Sequence, residues 1–355
     1  MTVEELKQPV LEEPPFRRKS SSAVSSFYQQ LSIRIDTPVR NMSISPSGRD
    51  IVLASRVGLY ILDLETPYKP PRVIHHYSRW DVADVMWNPH NSRDTWIVST
   101  ANQKTLVWNV ASSAPRSIEY VLHGHSRAIT DVSWSPIDPQ LLGTSSIDTF
   151  VHIWDLRTPS KPSQSFCAWT AGATQIDFNP NNEYMIASSH ETELNIWDCR
   201  ARTEPVIKFS PQNNRIFGIN WNTHNPKEIL TCGLDKTVKI WNIDDPSVCR
   251  GTITTNSPIR RARFTPFGDG IITMPQRGDP SLYMWSRSDL SKPVCKFEGH
   301  TDTIREFVWR IRGDTMGDKE TFQDFREFQL VSWSNDQHLR LWPIDDPNFV
   351  VSKRC

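Results

Sequence analysis

The sequence predicts an all-β fold, a seven-bladed β-propeller closed by an N-terminal outer strand. Three observations predict it. Two aromatic-rich markers each recur seven times at near-constant stride, every copy parses into short strands, and a strand-like segment precedes the first copy.

The first marker is an apolar residue, then Trp, then Asp or Asn. It reads Val107-Trp108-Asn109, Ile153-Trp154-Asp155, Ile196-Trp197-Asp198 and Ile240-Trp241-Asn242. It loses the third residue at Met284-Trp285 and Leu341-Trp342, and degenerates to Ile61-Leu62-Asp63 in the first copy. The central positions are separated by 46, 46, 43, 44, 44 and 57 residues. The second marker is a large apolar residue two places before a proline, at Ile44, Trp87, Trp134, Phe178 and Phe264. Trp221 and Trp309 hold its phase without the proline, and these spacings are 43, 47, 44, 43, 43 and 45.

Within the third copy, Ala128–Trp134 reads as the innermost strand, Leu141–Ser145 as the next and Phe150–Leu156 as the third. Ser135-Pro136, Asp138-Pro139 and Ile147-Asp148 supply turn chemistry between them. The fourth strand of a blade precedes the next copy, as in Glu119–Leu122. Phe27–Asp36 can therefore supply the missing outermost strand of the seventh blade, so that the ends meet and few strand edges stay exposed. The expected organisation is a tail over residues 1–26, a ring over 27–347 and a C-terminal tail over 348–355. The N-terminal tail is rich in charge, Pro and Ser and lacks apolar area to offset its conformational entropy; its Arg17-Arg18-Lys19 run reads as a solvated stretch.

Composition narrows the function classes. The chain of 355 residues has 40 basic and 40 acidic side chains, so no basic excess points to nucleic acid. Six cysteines at 167, 199, 232, 249, 295 and 355 form no C-x-x-C pair, which argues against a zinc site and a disulfide framework. No apolar signal or membrane-spanning segment is expected, which fits a reducing, cytoplasmic or nuclear setting. No G-x-S-x-G, Walker or G-x-G-x-x-G motif occurs, and His75-His76 and His123-x-His125 lack partners at ligand spacing. No catalytic residue, cofactor or metal is expected.

Polar residues keep phase with the markers. Asp148, Asp235, Asp279 and Asp336 each stand six residues before a marker tryptophan, while Arg56, Asn102 and Glu191 take that place elsewhere. The third copy holds Gly124-His125, Asp148 and Trp154, and the seventh holds Gly299-His300, Asp336 and Trp342. In these features the chain resembles the WD-repeat family. That resemblance implies a buried network in which His, Asp and Trp join a Ser or Thr, through His125, Asp148 and Trp154 and through His300, Asp336 and Trp342. Asp235 and Trp241 hold the same places in the fifth copy. Recurrence at fixed phase favours a structural over a catalytic role for these residues. Only the third and seventh copies look complete, so the remaining blades are expected to rely more on apolar packing.

Departures from the repeat point to candidate partner-binding residues. The long last spacing places about thirteen extra residues within Ile311–Glu327, charged but carrying Phe322 and Phe325. This is either a plain loop or a docking element. Arg260, Arg261 and Arg263 form the densest basic spot in the ring, open to pairing with blade acids or to contact with an acidic partner.

Longer phrases resemble one WD-repeat subfamily. They include Thr37-Pro-Val-Arg-Asn-Met-Ser-Ile-Ser-Pro-Ser-Gly48, Trp80-Asp-Val-Ala-Asp-Val-Met-Trp-Asn-Pro-His90 and Leu330-Val-Ser-Trp-Ser-Asn-Asp-Gln-His-Leu-Arg-Leu-Trp342. Together they are similar to the N-terminal propeller of the RWD- and RING-bearing subunit of the SEA complex, called GATOR-two in animals. The resemblance implies a non-enzymatic scaffold with other protein subunits as partners, regulating TOR complex one by amino-acid supply at the vacuolar or lysosomal surface. The alternative is a generic WD-repeat adaptor, such as a ubiquitin-ligase substrate receptor or a chromatin-assembly subunit. The family's RWD and RING modules are not expected within residues 1–355, so the chain is either a fragment or a stand-alone propeller.

Overall fold

Short apolar strands punctuated by Ser, Asp and Asn turns give each repeat the form of a four-stranded antiparallel sheet. The computed structural model describes residues 25–76, 80–112, 117–201, 204–313, 315–316, 323–324 and 326–344. In blade 3, Ile129–Trp134, Leu141–Ser146, Phe150–Asp155 and Gln164–Cys167 pair in chain order. Its first turn is held by Ser135 Oγ, which accepts from the Asp138 N–H at 3.1 Å, and by Asp138 Oδ1, which accepts from the Gln140 N–H at 2.9 Å. Five other blades repeat the plan in chain order, beginning at Val39, Val85, Ala173, Ile216 and Ile259.

The seventh sheet is assembled from both ends of the ring. Ile304–Arg312, Glu327–Ser334 and His338–Pro343 form its inner three strands, and Leu31–Arg34 pairs with the last, Leu31 opposite Leu341 and Arg34 opposite His338. Only these four residues of the Phe27–Asp36 segment form strand. Ser26–Tyr28 is a 3₁₀ turn, and buried Ser26 belongs with the ring rather than with the expected tail.

Cores lie between blades, not within them. Among the described residues seven clusters of buried apolar side chains each join two neighbouring sheets. Trp87, Trp134, Phe178 and Trp221, all of the second marker, pack against the preceding blade. Burying one such side chain is worth about 1.5–3 kcal/mol, so the repeated anchor carries much of the lateral cohesion. The cluster of Ile33, Val331, Leu339 and Leu341 with Val39, Met42, Leu53 and Leu62 joins blade 7 to blade 1 and closes the circle.

The insertion in blade 7 begins as a prolongation of the sheet. Pairing continues to Arg312 opposite Glu327, and a two-residue ribbon, Thr315–Met316 with Gln323–Asp324, follows. Phe322 and Phe325 lie outside the described residues, as do residues 1–24 and 345–355. No helix among the described residues is long and apolar enough to cross a membrane.

Candidate functional site

A marker indole has one N–H to place in a dry setting, and six of them solve the problem in one way. Each donates to a Ser or Thr hydroxyl on the adjacent strand: Trp108 to Ser99, Trp154 to Thr144, Trp197 to Ser188, Trp241 to Thr231, Trp285 to Thr273 and Trp342 to Ser332, at 2.8–3.1 Å. In blade 3 the His125 ring lies between Asp148, 3.1 Å from Nδ1, and Thr144 Oγ1, 2.8 Å from Nε2. In blade 7 His300 lies between Asp336 at 2.9 Å and Ser332 at 2.8 Å. Burial raises the Asp336 carboxyl, but His300 and the N–H groups of Thr301 and His338 outweigh it and bring the pKa to about 2.

Two further blades carry such networks with different residues, which corrects the expectation that they lean on apolar packing. In blade 4, His190 comes from the second strand, with Nε2 2.9 Å from Ser188 Oγ and Nδ1 3.0 Å from the Ala171 carbonyl. In blade 5, Gln212 replaces the imidazole: its amide donates to Thr231 Oγ1 at 3.1 Å and accepts from Thr237 Oγ1 at 2.9 Å. Asp235 there accepts from the Asn213 N–H at 3.2 Å, and Asp279 in blade 6 accepts from the Tyr283 hydroxyl instead of an imidazole.

Asp148→Ala is expected to lower stability by about 1–3 kcal/mol, because His125 and the Ser126 and Phe150 N–H groups lose their acceptor. Thermal unfolding reads the loss, and an unchanged melting temperature would count against the network.

The central channel is the other polar region. The innermost strand of every blade has a free edge toward the axis, so its inward N–H groups lack a strand partner. Side chains of the preceding blade accept from them. Asp84 accepts from the Val132 N–H at 3.0 Å, Asp131 from Ile176 at 3.1 Å and Gln175 from Ile219 at 2.8 Å. One layer along, Ser43 accepts from Trp87, Asp177 from Trp221 and Asn220 from Phe264, at 2.9–3.0 Å. The two layers stand three and one residues before the second marker in each copy. They line a cavity of about 220 Å³.

The arginines highlighted by sequence divide here. Arg261 lies 3.3 Å from both Asp131 and Glu306, and Arg263 lies 3.1 Å from Glu306 and donates to the Phe307 carbonyl at 2.6 Å. Of the two readings left open by the sequence, pairing with blade acids is the arrangement these two adopt: strand alternation turns both into the channel, where buried acids hold them. Arg260, displaced at the register shift that opens the same strand, is half-buried; it makes no ion pair among the described residues, though Glu306 and Asp84 act on it electrostatically. Burial lifts Asp131 and Asp177 to about 6 each, and lifts Asp84 well above the usual carboxylate range, with Asp131 adding repulsion. Burial also penalises the charged form of Glu306, but Arg263 and Arg261 overcome it and hold that carboxyl low.

Among the described residues no group of three His, Cys, Asp or Glu side chains is placed to hold a metal ion. His76 Nε2 lies 3.0 Å from the Ser55 carbonyl, and the described cysteines are free. The channel acids and Arg310, a buried cation at the ring closure, escaped the sequence reading. Counting back from the second marker would have found the acids, as charged residues inside otherwise apolar strands.

The profile of the family described as "WD domain, G-beta repeat" matches residues 116–155, 160–198 and 203–242. The chain is a WD-repeat protein. Each matched WD repeat spans the outermost strand of one blade and three strands of the next, the same offset that closes the ring. An uncharacterized RWD, RING finger and WD repeat-containing protein of Schizosaccharomyces pombe is 49% identical over 327 residues, which cover 90% of this WD-repeat chain and 24% of the relative. Maintenance of telomere capping protein 5 of Saccharomyces cerevisiae is 43% identical over 346 residues, 93% of this chain and 30% of its own. The GATOR2 complex protein WDR59 of Homo sapiens is 35% identical over 313 residues, 87% of this chain and 31% of its own. The WD-repeat chain thus spans about a quarter to a third of these curated relatives.

Proposed function

We propose that this propeller serves as a non-catalytic interaction scaffold in a GATOR2-type complex, and so contributes to regulation of TOR complex one by amino-acid supply. The observation that carries it is 35% identity over 87% of the chain to a GATOR2 complex protein, a far longer stretch than the three matched repeats. The chemistry of the ring supports a scaffold. Its buried His–Asp pairs are tied to strand hydroxyls that already receive an indole N–H, so neither pair is free to activate a nucleophile. In this reading the partners are other protein subunits, and contact with the vacuolar or lysosomal surface is made through the assembled complex.

Affinity purification of the tagged protein from its native cell tests the reading. Co-purification of the other subunits of a GATOR2-type complex, in near-stoichiometric amounts, is the expected result. Recovery of cullin adaptors or histones in their place would overturn it.

A further inference from the structure

In each blade one residue of the second strand pairs with the end of the third, beside the turn that joins the first two strands. It is polar in three blades: Asp50 opposite Asp63 in blade 1, Glu228 opposite Asn242 in blade 5 and Gln329 opposite Pro343 in blade 7. In the other four it is apolar or glycine. In blades 5 and 7 this side chain is answered across the gap to the following blade. Arg287 of blade 6 grips Glu228 with two nitrogens, Nη1 standing 2.6 Å from Oε2. Gln329 donates to the Ser26 and Phe27 carbonyls, in a turn whose Ser26 hydroxyl donates to the Leu64 carbonyl of blade 1. A guanidinium therefore occupies one of these inter-blade places, and a stretch of chain with buried Phe27 occupies another.

Asp50 has no such answer. Toward blade 2 it faces a groove of about 370 Å³ whose walls include Ile61, Pro70, Trp87 and Val110. Val110 stands where Arg287 stands in blade 6: each donates its N–H to the carbonyl of the residue just before the second strand, Thr95 and Asp269. The cation of one groove is an apolar side chain in the other. The Asp50 carboxylate makes no hydrogen bond or ion pair among the described residues. Burial and the neighbouring Asp63 disfavour its charge; Arg49 eases this, but the Arg49 guanidinium is held on Asp63 at 2.8 Å. Arg72 also lines the groove, and donates to the Val110 and Ser112 carbonyls at 2.6 and 3.3 Å. Lys69 and Asp94 are exposed at its rim, next to Tyr68, which is 55% exposed.

We propose that the groove between blades 1 and 2 receives an arginine from another protein, its guanidinium on Asp50 and the apolar side chains beside it against Ile61, Pro70 and Tyr68. The ring shows both halves of this arrangement in its own grooves: the two-point guanidinium contact at Glu228 and the inserted segment at Gln329. A guanidinium fork suits a carboxylate better than an ammonium does, and a partly desolvated carboxylate without a cation gains most from one. The proposal rests on the scaffold reading only in taking the ligand to be a protein, and its failure would leave the co-purification result standing.

Fluorescence anisotropy with a labelled peptide of alternating arginine and phenylalanine tests it, beside the counterpart with uncharged citrulline in place of arginine. The arginine peptide should bind at least tenfold tighter than the citrulline peptide. Asp50→Asn should remove that preference in a protein whose melting temperature is unchanged or raised. Val110→Arg plants a guanidinium at the place that Arg287 holds in blade 6, and should abolish binding. Glu298→Gln, beside the outer strand of blade 6, should have no effect. Absence of saturable binding, equal binding of the two peptides, or a preference that survives Asp50→Asn would overturn the proposal. So would a tenfold gain in affinity on deleting residues 1–24, which carry Phe16-Arg17-Arg18, because the groove would then serve this chain and not a partner.

Discussion

Arg310→Ala should destabilise the ring by about 3–5 kcal/mol, the loss expected when one member of a buried, hydrogen-bonded ionic cluster is removed. Arg310 is 2% exposed and reaches four elements at once. It donates to the Gly48 carbonyl at 2.7 Å, to Ser26 Oγ at 3.2 Å and to Gln329 Oε1 at 3.0 Å, and it pairs with Glu65. Its guanidinium also lies 5.1 Å from the Phe27 ring centroid. Gln329 returns two donations to the Ser26 and Phe27 carbonyls at 3.0 and 2.9 Å. The approach is tight: Gly48 has φ 68°, and a Cβ there would meet the Ile311 carbonyl oxygen at 2.7 Å. One side chain thus fixes the N-terminal turn, blade 7 and the first turn of blade 1. Arg310→Lys keeps the charge without the fork and should lose less. Urea unfolding reads both, and an Arg310→Ala loss under about 1 kcal/mol, the scale of an exposed ion pair, would contradict the assignment.

Arg261→Leu should cost a similar amount, about 3–5 kcal/mol at neutral pH, because Asp131 and Glu306 lose the cation between them. The pH dependence has a definite sign. Without Arg261 burial lifts Asp131 further and Glu306 loses one of the cations that hold it low, and an acid whose folded pKa is raised contributes stability at low pH that is lost as pH climbs through that pKa. Asp131 already titrates near 6 with Arg261 present. The deficit in melting temperature relative to wild type should therefore be larger at pH 8 than at pH 5. Adding Glu306→Gln and Asp131→Asn should recover part of it. A deficit that grows toward pH 5 would sink this account of the channel.

The ring was legible because its signals are local and repeated. Trp108, Trp154 and Trp197 keep phase with Trp87, Trp134 and Phe178, and the period follows from counting. The imidazole networks at His125 and His300 were expected from the resemblance to the WD-repeat family, carried by the residues that keep phase with the markers. Those of blades 4 and 5 were not: His190 enters from a strand end and Gln212 is a different residue type, so only three-dimensional proximity relates them to Ser188 and Thr231. For Arg261 and Arg263 the sequence left pairing with blade acids and contact with a partner both open, because the acids that hold them, Asp131 and Glu306, come from other blades. Arg310 was hidden for the same reason, its partners lying 245 to 284 residues away at Glu65, Gly48 and Ser26.

Hydrogen–deuterium exchange across Leu31–Arg34 tests the closed ring most directly. These four residues precede the first repeat, yet they complete the last sheet against His338–Leu341. They should be protected to the same degree as the inner strands of blade 7, and should lose that protection together with blade 7 in Arg310→Ala. Fast exchange of Leu31–Arg34 in a protein whose other blades remain protected would show an open ring.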